Sequence, residues 1–246
     1  GGHSGDEIHK GLGNSNKIVN RFLWNAGRKF LIRLNHFDGG NLRNAIPREA
    51  RAIFTVPDYF LDELNEYFEV YANEIQNELR TTEKNLKIEL KEIEKPGFAI
   101  NRKTQARLVN ALYACPHGVY EWSREIEGLV ETSTNLASVK FRDDDHIIIT
   151  TSQRSSVESA KKDIASKIRA VFELGKADVQ HTDGYPSWQP NPDSEIVRLT
   201  VDSYKELFSE EPVVRAIHAG LECGLFLEKY PDLDMISFGP TIKGAH

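Results

Sequence analysis

The sequence predicts an α+β fold: a doubled antiparallel sheet with helices on one face, followed by an incomplete segment of α/β texture. Three observations carry this expectation. Apolar residues follow the order helix–strand–strand–helix–strand, and that order occurs twice without visible sequence identity. A crossing segment rich in Pro, Asp183-Gly184-Tyr185-Pro186-Ser187-Trp188-Gln189-Pro190-Asn191-Pro192, then marks a boundary. Beyond it, short apolar runs alternate with helical patterns, as in a parallel or mixed sheet covered on both faces.

In the first unit, a helix is expected from about Asn14 to Arg28, capped by Asn14 or Ser15, with Ile18, Phe22 and Leu23 on one face. Alternation predicts a strand over Phe30 to Phe37, and Asp38-Gly39-Gly40-Asn41 supplies turn chemistry. A second strand runs through Ala50, Ala52, Phe54 and Val56. Pro57-Asp58 starts a long helix carrying Phe60, Leu64, Tyr67, Tyr71, Ile75 and Leu79 at helical spacing. Leu86, Ile88 and Leu90 alternate as a third strand.

The second unit repeats the order. A helix from about Thr104 to Cys115 precedes strands near Leu129 to Phe141 and His146 to Ser152, with a turn at Asp143-Asp144-Asp145. Ser155 or Ser156 caps a helix bearing Val157, Ala160, Ile164, Ile168 and Val171, and a strand near Ala177 to His181 closes the unit. After the boundary, helices are expected over Ser194 to Phe208 and Leu221 to Tyr230, with short strands at Val213 to Ile217 and Met235 to Phe238.

Composition excludes several classes. The chain has 246 residues, 39% hydrophobic, enough for a core and too apolar for a disordered segment. No apolar run approaches the roughly 18–20 residues that a membrane span needs. With 31 basic against 37 acidic side chains the formal charge is −6, so the basic excess that phosphate neutralisation demands is missing and no nucleic-acid partner is expected. Cys115 and Cys223 form no CxxC pattern and read as reduced structural thiols in a cytoplasmic protein. The chain lacks an initiator Met, shows no apolar leader, and reads as a piece of a longer protein.

Polar loops are where chemistry can sit. Gly1-Gly2-His3-Ser4-Gly5 holds an accessible His among glycines, Gly39 to Pro47 holds Asn44, and Thr150 to Ser156 holds Arg154 between a strand and a helix cap. An Arg there can fork onto a carboxylate. Taken singly, each has a plainer reading: a solvated loop His, a turn Asn and a surface ion pair. His218-Ala219-Gly220-Leu221-Glu222-Cys223-Gly224 and Ser237 to His246 each put ionisable residues just after an expected strand, where open α/β sheets gather ligand groups. No HExxH, P-loop or GxSxG motif is present.

Taken together and in order, these runs resemble the aminoacylhistidine dipeptidases, members of the di-zinc peptidase superfamily that includes carnosinases. The matching segments are Gly1 to Gly5 with Ile8-His9 and Gly13 to Lys17, Gly39 to Pro47, Val130 to Ala137, Ser152 to Ser156, Tyr185 to Trp188, His218 to Gly224 and Ser237 to His246. The resemblance implies that residues 1–185 form a lid, a dimerisation-like domain lacking its first strand, and that residues 186–246 return to a discontinuous catalytic domain. It implies hydrolysis of unblocked dipeptides, Xaa-His in particular, by two Zn2+ ions (other divalent metals also serving), in a cytoplasmic homodimer. Residue by residue, it makes His3 the oxyanion donor, Asn44 and Arg154 substrate contacts, with Arg154 taking the carboxylate terminus, and His246 a zinc ligand. Glu222 stands where the substrate's ammonium group would be received. The family's HxD motif, bridging Asp, paired Glu-Glu and remaining carboxylate ligand have no counterpart after Gly1, so the segment itself is expected to be inactive. The alternative from a different class is a stand-alone lid-like interaction or dimerisation module without hydrolytic activity.

Overall fold

The structure is a computed structural model, and it describes all residues except 143, 144, 183, 192, 219, 220 and 240–246. Helices and antiparallel strands make up an α+β fold, as expected. Two units of helix–strand–strand–helix follow one another. The first is α1 (Ser15–Lys29), β2 (Arg33–Gly39), β4 (Ala50–Thr55) and α2 (Leu61–Glu78), with the short β1 (Gly2–His3) and β3 (Ala45–Ile46) beside it. The second is α3 (Arg102–Ala114), β6 (Val130–Phe141), β7 (Ile147–Ser155) and α4 (Glu158–Leu174), with an additional strand β5 (Gly118–Trp122) that alternation did not single out.

The two units share one five-stranded sheet. β6 pairs with β7 along its length, from Thr132↔Ser155 to Phe141↔Ile147. Its other edge meets β2 at one end (Asp38↔Lys140) and β5 at the other (Gly118↔Thr134). β4 then pairs with β2 on the outside, and every pairing is antiparallel. Helices α1–α4 cover one face: Phe22, Leu23, Phe68, Ile75, Leu112 and Ile168 close over Leu34, Leu136 and Val139. Opposite that face, β1 and β3 form a two-residue ribbon, held to β6 where Asn135 Nδ2 donates to Ala45 O at 2.8 Å.

Local chemistry explains the boundaries. Asn14 caps α1 by accepting from Lys17 N at 3.2 Å, and Asn101 caps α3 by accepting from Thr104 N at 2.8 Å. Lys17 reaches from α1 to the C-terminal end of α3, where its Nζ donates to Leu112 O, Tyr113 O and Cys115 O at 2.8, 2.9 and 2.8 Å. Carbonyls that have no helical partner are satisfied by a cation that also suits the negative end of the helix. Gly40 follows β2 at φ 69°, and a Cβ there would lie 1.9 Å from Ala137 O, so the turn into the Asn44 loop admits no larger residue. Both cysteines are free thiols.

Several expectations need correction. Leu86, Ile88 and Leu90 pack against the core but belong to no strand, as does Val179 in the segment expected as a strand near Ala177 to His181. Alternation reports half-burial; a strand also needs an edge to pair with, and these segments lie on the core without one. The long helix starts at Leu61, after a 3-10 turn at Asp58–Phe60, and α4 is preceded by Val157 with no side-chain cap: Ser155 Oγ instead accepts from Val157 N at 3.0 Å. Of the expected turn Asp143-Asp144-Asp145, the first two residues lie outside the described ones. Beyond residue 193 the helices form as read, α5 (Glu195–Phe208) and α6 (Leu221–Lys229), but neither Val213 to Ile217 nor Met235 to Phe238 is a strand. Val213, Val214 and Phe238 are 77%, 62% and 84% exposed: no sheet among the described residues offers these runs a neighbour.

Candidate active site

The site lies on the sheet face opposite the helices. Ser133 and Arg154 are register partners on β6 and β7, and directly opposed residues project to the same side. Ser133 lies three positions from core-facing Leu136, with regular pairing between them, so it and Arg154 point away from the helices, toward the β1–β3 ribbon.

The ribbon brings His3 and Asn44 together. His3 pairs with Ala45, and Ser4 N donates to Asn44 O at 2.8 Å, so the glycine-rich run and the Asn44 loop form one unit. His3 is held closely. Its backbone N donates to Glu7 Oε2 at 2.8 Å, and its Nδ1 accepts from Gly5 N at 3.2 Å and Asp6 N at 3.0 Å. With the Nδ1 lone pair engaged by two amides, the neutral ring carries its proton on Nε2, which makes that atom a donor. The hydrogen bond from the His3 backbone N–H, then the one from Lys10, holds the Glu7 carboxyl below its ordinary range.

Arg154 stands against the same loop. A Cβ added to Gly5 would lie 3.0 Å from His3 Cε1 and 3.3 Å from Arg154 Cζ, so the bare glycine lets ring and guanidinium flank one point. Burial lowers the Arg154 pKa, its Nε is shut off from solvent without a partner, and none of the ion pairs among the described residues involves it. Such a cation is costly unless an anion completes it.

His218 completes the cluster, a residue that sequence reasoning quoted in a motif without assigning a role. It is only 4% exposed, and its Nε2 lies 2.8 Å from Ser133 Oγ. Burial, reinforced first by the Arg154 charge and then by the nearby His9 and His3, pulls its pKa down to about 4, so the ring is neutral. The available signal was a His at the end of an apolar run, ahead of Ala-Gly. Ser133 gave no signal at all, since a Ser in a strand says nothing about what crosses it.

Of the residues singled out beforehand, the structure gathers His3, Asn44 and Arg154. Glu222 is exposed in the first turn of α6, with no ion pair to Arg154 among the described residues. His246 lies outside the described residues. Among the described residues no three His, Cys, Asp or Glu side chains converge on a metal position, so they do not by themselves fit a zinc centre.

His3 and the half-buried guanidinium of Arg154 thus stand side by side on the open sheet face, against one glycine loop. Over its whole length the chain is 41% identical to the cytosol non-specific dipeptidase of Escherichia coli K12, of which it covers 50%. The crystal structure of aminoacylhistidine dipeptidase from Vibrio alginolyticus superposes with a TM-score of 0.90 at 40% identity, over 98% of this chain and 49% of that one. No protein-family model matches. The resemblance read from the sequence is thus borne out, and the chain spans about half the length of the relatives it matches.

Proposed function

We propose that the chain is the lid (residues 1–185) and part of the discontinuous catalytic domain (residues 186–246) of a cytoplasmic metallodipeptidase that cleaves unblocked dipeptides. The single observation that supports this most is Arg154, a half-buried guanidinium whose buried Nε has no partner, beside a His whose Nδ1 accepts from two amides so that Nε2 carries the proton. In this reading Arg154 forks onto the C-terminal carboxylate of the substrate. His3 Nε2 donates to the carbonyl oxygen as it becomes negative, and Asn44, carried on the same ribbon, contacts the peptide. Glu222 receives the ammonium terminus, and His246 is one ligand of a paired metal site. Bound zinc would supply an activated water and polarise the scissile carbonyl.

Xaa-His is the proposed substrate preference. One relative is named for aminoacylhistidine and the other as non-specific, so the preference is put to the test by comparing dipeptides that differ only in the C-terminal residue. The whole protein, a homodimer in this reading, should hydrolyse free dipeptides, lose activity with a chelator and regain it with Zn2+. It should discriminate sharply against dipeptide amides, which lack the carboxylate that Arg154 takes. Equal kcat/KM for acid and amide would refute the assignment of Arg154. The match to dipeptidases along the full chain favours this over a stand-alone interaction module.

A further inference from the structure

Resting on the reading of Arg154 above, we infer that His218 is a positioning residue of the carboxylate site: bonded to Ser133, it sets the strand pair that presents Arg154 and ties the chain beyond the domain boundary to the sheet. The segment around it is mostly solvated. Val213, Val214 and Ile217 are 77%, 62% and 41% exposed, and α5 has no buried residue. Against that background the burial of His218, at 4% exposure, is specific. Its Nε2 meets Ser133 Oγ at 2.8 Å, and Ser133 sits directly across the ladder from Arg154. Ser133 is itself 1% exposed, so the pair is a dry contact in which a lost partner leaves a polar group unsatisfied.

The residue type matters as much as the contact. The groups facing His218 are Arg154 from β7, His3 from β1 and His9 from the turn behind it. An Asp or Glu at 218 would pair with Arg154 and occupy the cation meant for substrate; a Lys would repel it. A neutral imidazole does neither, while still bonding to the hydroxyl. His218 thus leaves Arg154 unquenched yet placed, and it acts on carboxylate capture rather than on the reacting atoms.

The test is kinetic, in the metal-loaded whole protein, with a dipeptide and its C-terminal amide as paired substrates. His218→Ala and Ser133→Ala should each raise KM for the free dipeptide about tenfold, the usual consequence of losing one buried hydrogen bond. The amide's KM and kcat for both substrates should stay within about twofold, and the double variant should be no worse than either single one, because both remove one contact. His218→Gln, whose amide can reach Ser133, should restore KM, and it keeps the test sound if an Ala variant folds poorly. Arg154→Ala is the control. If it raises KM for the dipeptide and His218→Ala does not, the role of His218 is wrong and the carboxylate reading stands. If Arg154→Ala leaves KM unchanged, the carboxylate reading fails and takes this inference with it. A loss in kcat, or an equal rise in KM for the amide, would also overturn the positioning role.

Discussion

Replacing Arg154 by Met should make the protein more stable and a worse enzyme. Met keeps most of the apolar stem and removes a guanidinium whose Nε is buried without a partner. Burial lowers the Arg154 pKa, which means the fold disfavours the charge. Because the side chain is half-buried and not wholly enclosed, the relief is set at about 1 kcal/mol, the low end for replacing buried charge by apolar groups. For a chain of this size, that is a rise in Tm of about 2–4 °C. The functional loss is larger. Leaving a substrate carboxylate without its buried partner costs about 2–5 kcal/mol, so KM should rise roughly 30-fold or more, with kcat less affected. Arg154→Lys should fall between, since an ammonium retains charge but not the two parallel bonds of the fork. Calorimetry on the chain and steady-state kinetics on the whole protein measure the two effects separately. A fall in Tm of several degrees would show that Arg154 is satisfied by the fold, and the argument for a substrate anion would go with it.

Lys17→Met should do the reverse, destabilising by about 3 kcal/mol and lowering Tm by about 6–12 °C, because three carbonyls at the end of α3 lose a charged donor; an unchanged melting curve would contradict this. His3→Asn separates scaffold from chemistry: Asn Oδ1 can still accept from the Gly5 and Asp6 amides, but its shorter Nδ2 donor does not reach the Nε2 position. We expect Tm to hold and kcat to drop about 10²–10³-fold; normal kcat would end the oxyanion role. Acid should destabilise early. The pKa values of His218 and His117 fall from the ordinary 6.5 to about 4, the first by burial and then Arg154, the second by burial and then Lys17. The unfolded chain therefore takes up these protons first, and stability is lost as pH drops from about 6.5 to 4, by about 3 kcal/mol for His218 and less for the more exposed His117. A flat Tm across that window would refute it.

Much of this was legible in the sequence because local physics dominates there. The Asn14 cap, the helix through Phe22 and Leu23, the Gly39-Gly40 turn and the β6–β7 pair carry their signals within a few residues, and all are present. The failures share a cause. Leu86 to Leu90, Ala177 to His181 and Val213 to Ile217 are alternating or apolar, yet a strand is a relation between two segments and the missing partner is invisible in one of them. The site divides in the same way. His3, Asn44 and Arg154 stand out as polar residues in glycine-rich or strand-end loops. The contact between Ser133 and His218 spans 85 positions, and nothing in either neighbourhood announces the other.

Two half-buried cations of this domain, Lys17 and Arg154, show how structure can separate scaffold from a candidate site. Both Lys17 and Arg154 have pKa values lowered by burial, and charge alone would class them together. Lys17 uses its three donors on three carbonyls of α3, so the cost of withdrawing the ammonium from water is offset inside the fold. Arg154 has five donors, a buried Nε with no acceptor, a glycine held open against its Cζ and a neutral imidazole nearby where an acid would have quenched it. On the proposed reading, the cation that the fold leaves open is completed by an anion from outside. The sign of the stability change on removing each cation distinguishes the two cases. Lys17→Met must cost stability and Arg154→Met must not; if both variants lose stability alike, Arg154 is part of the scaffold and the acceptor it serves belongs to the protein.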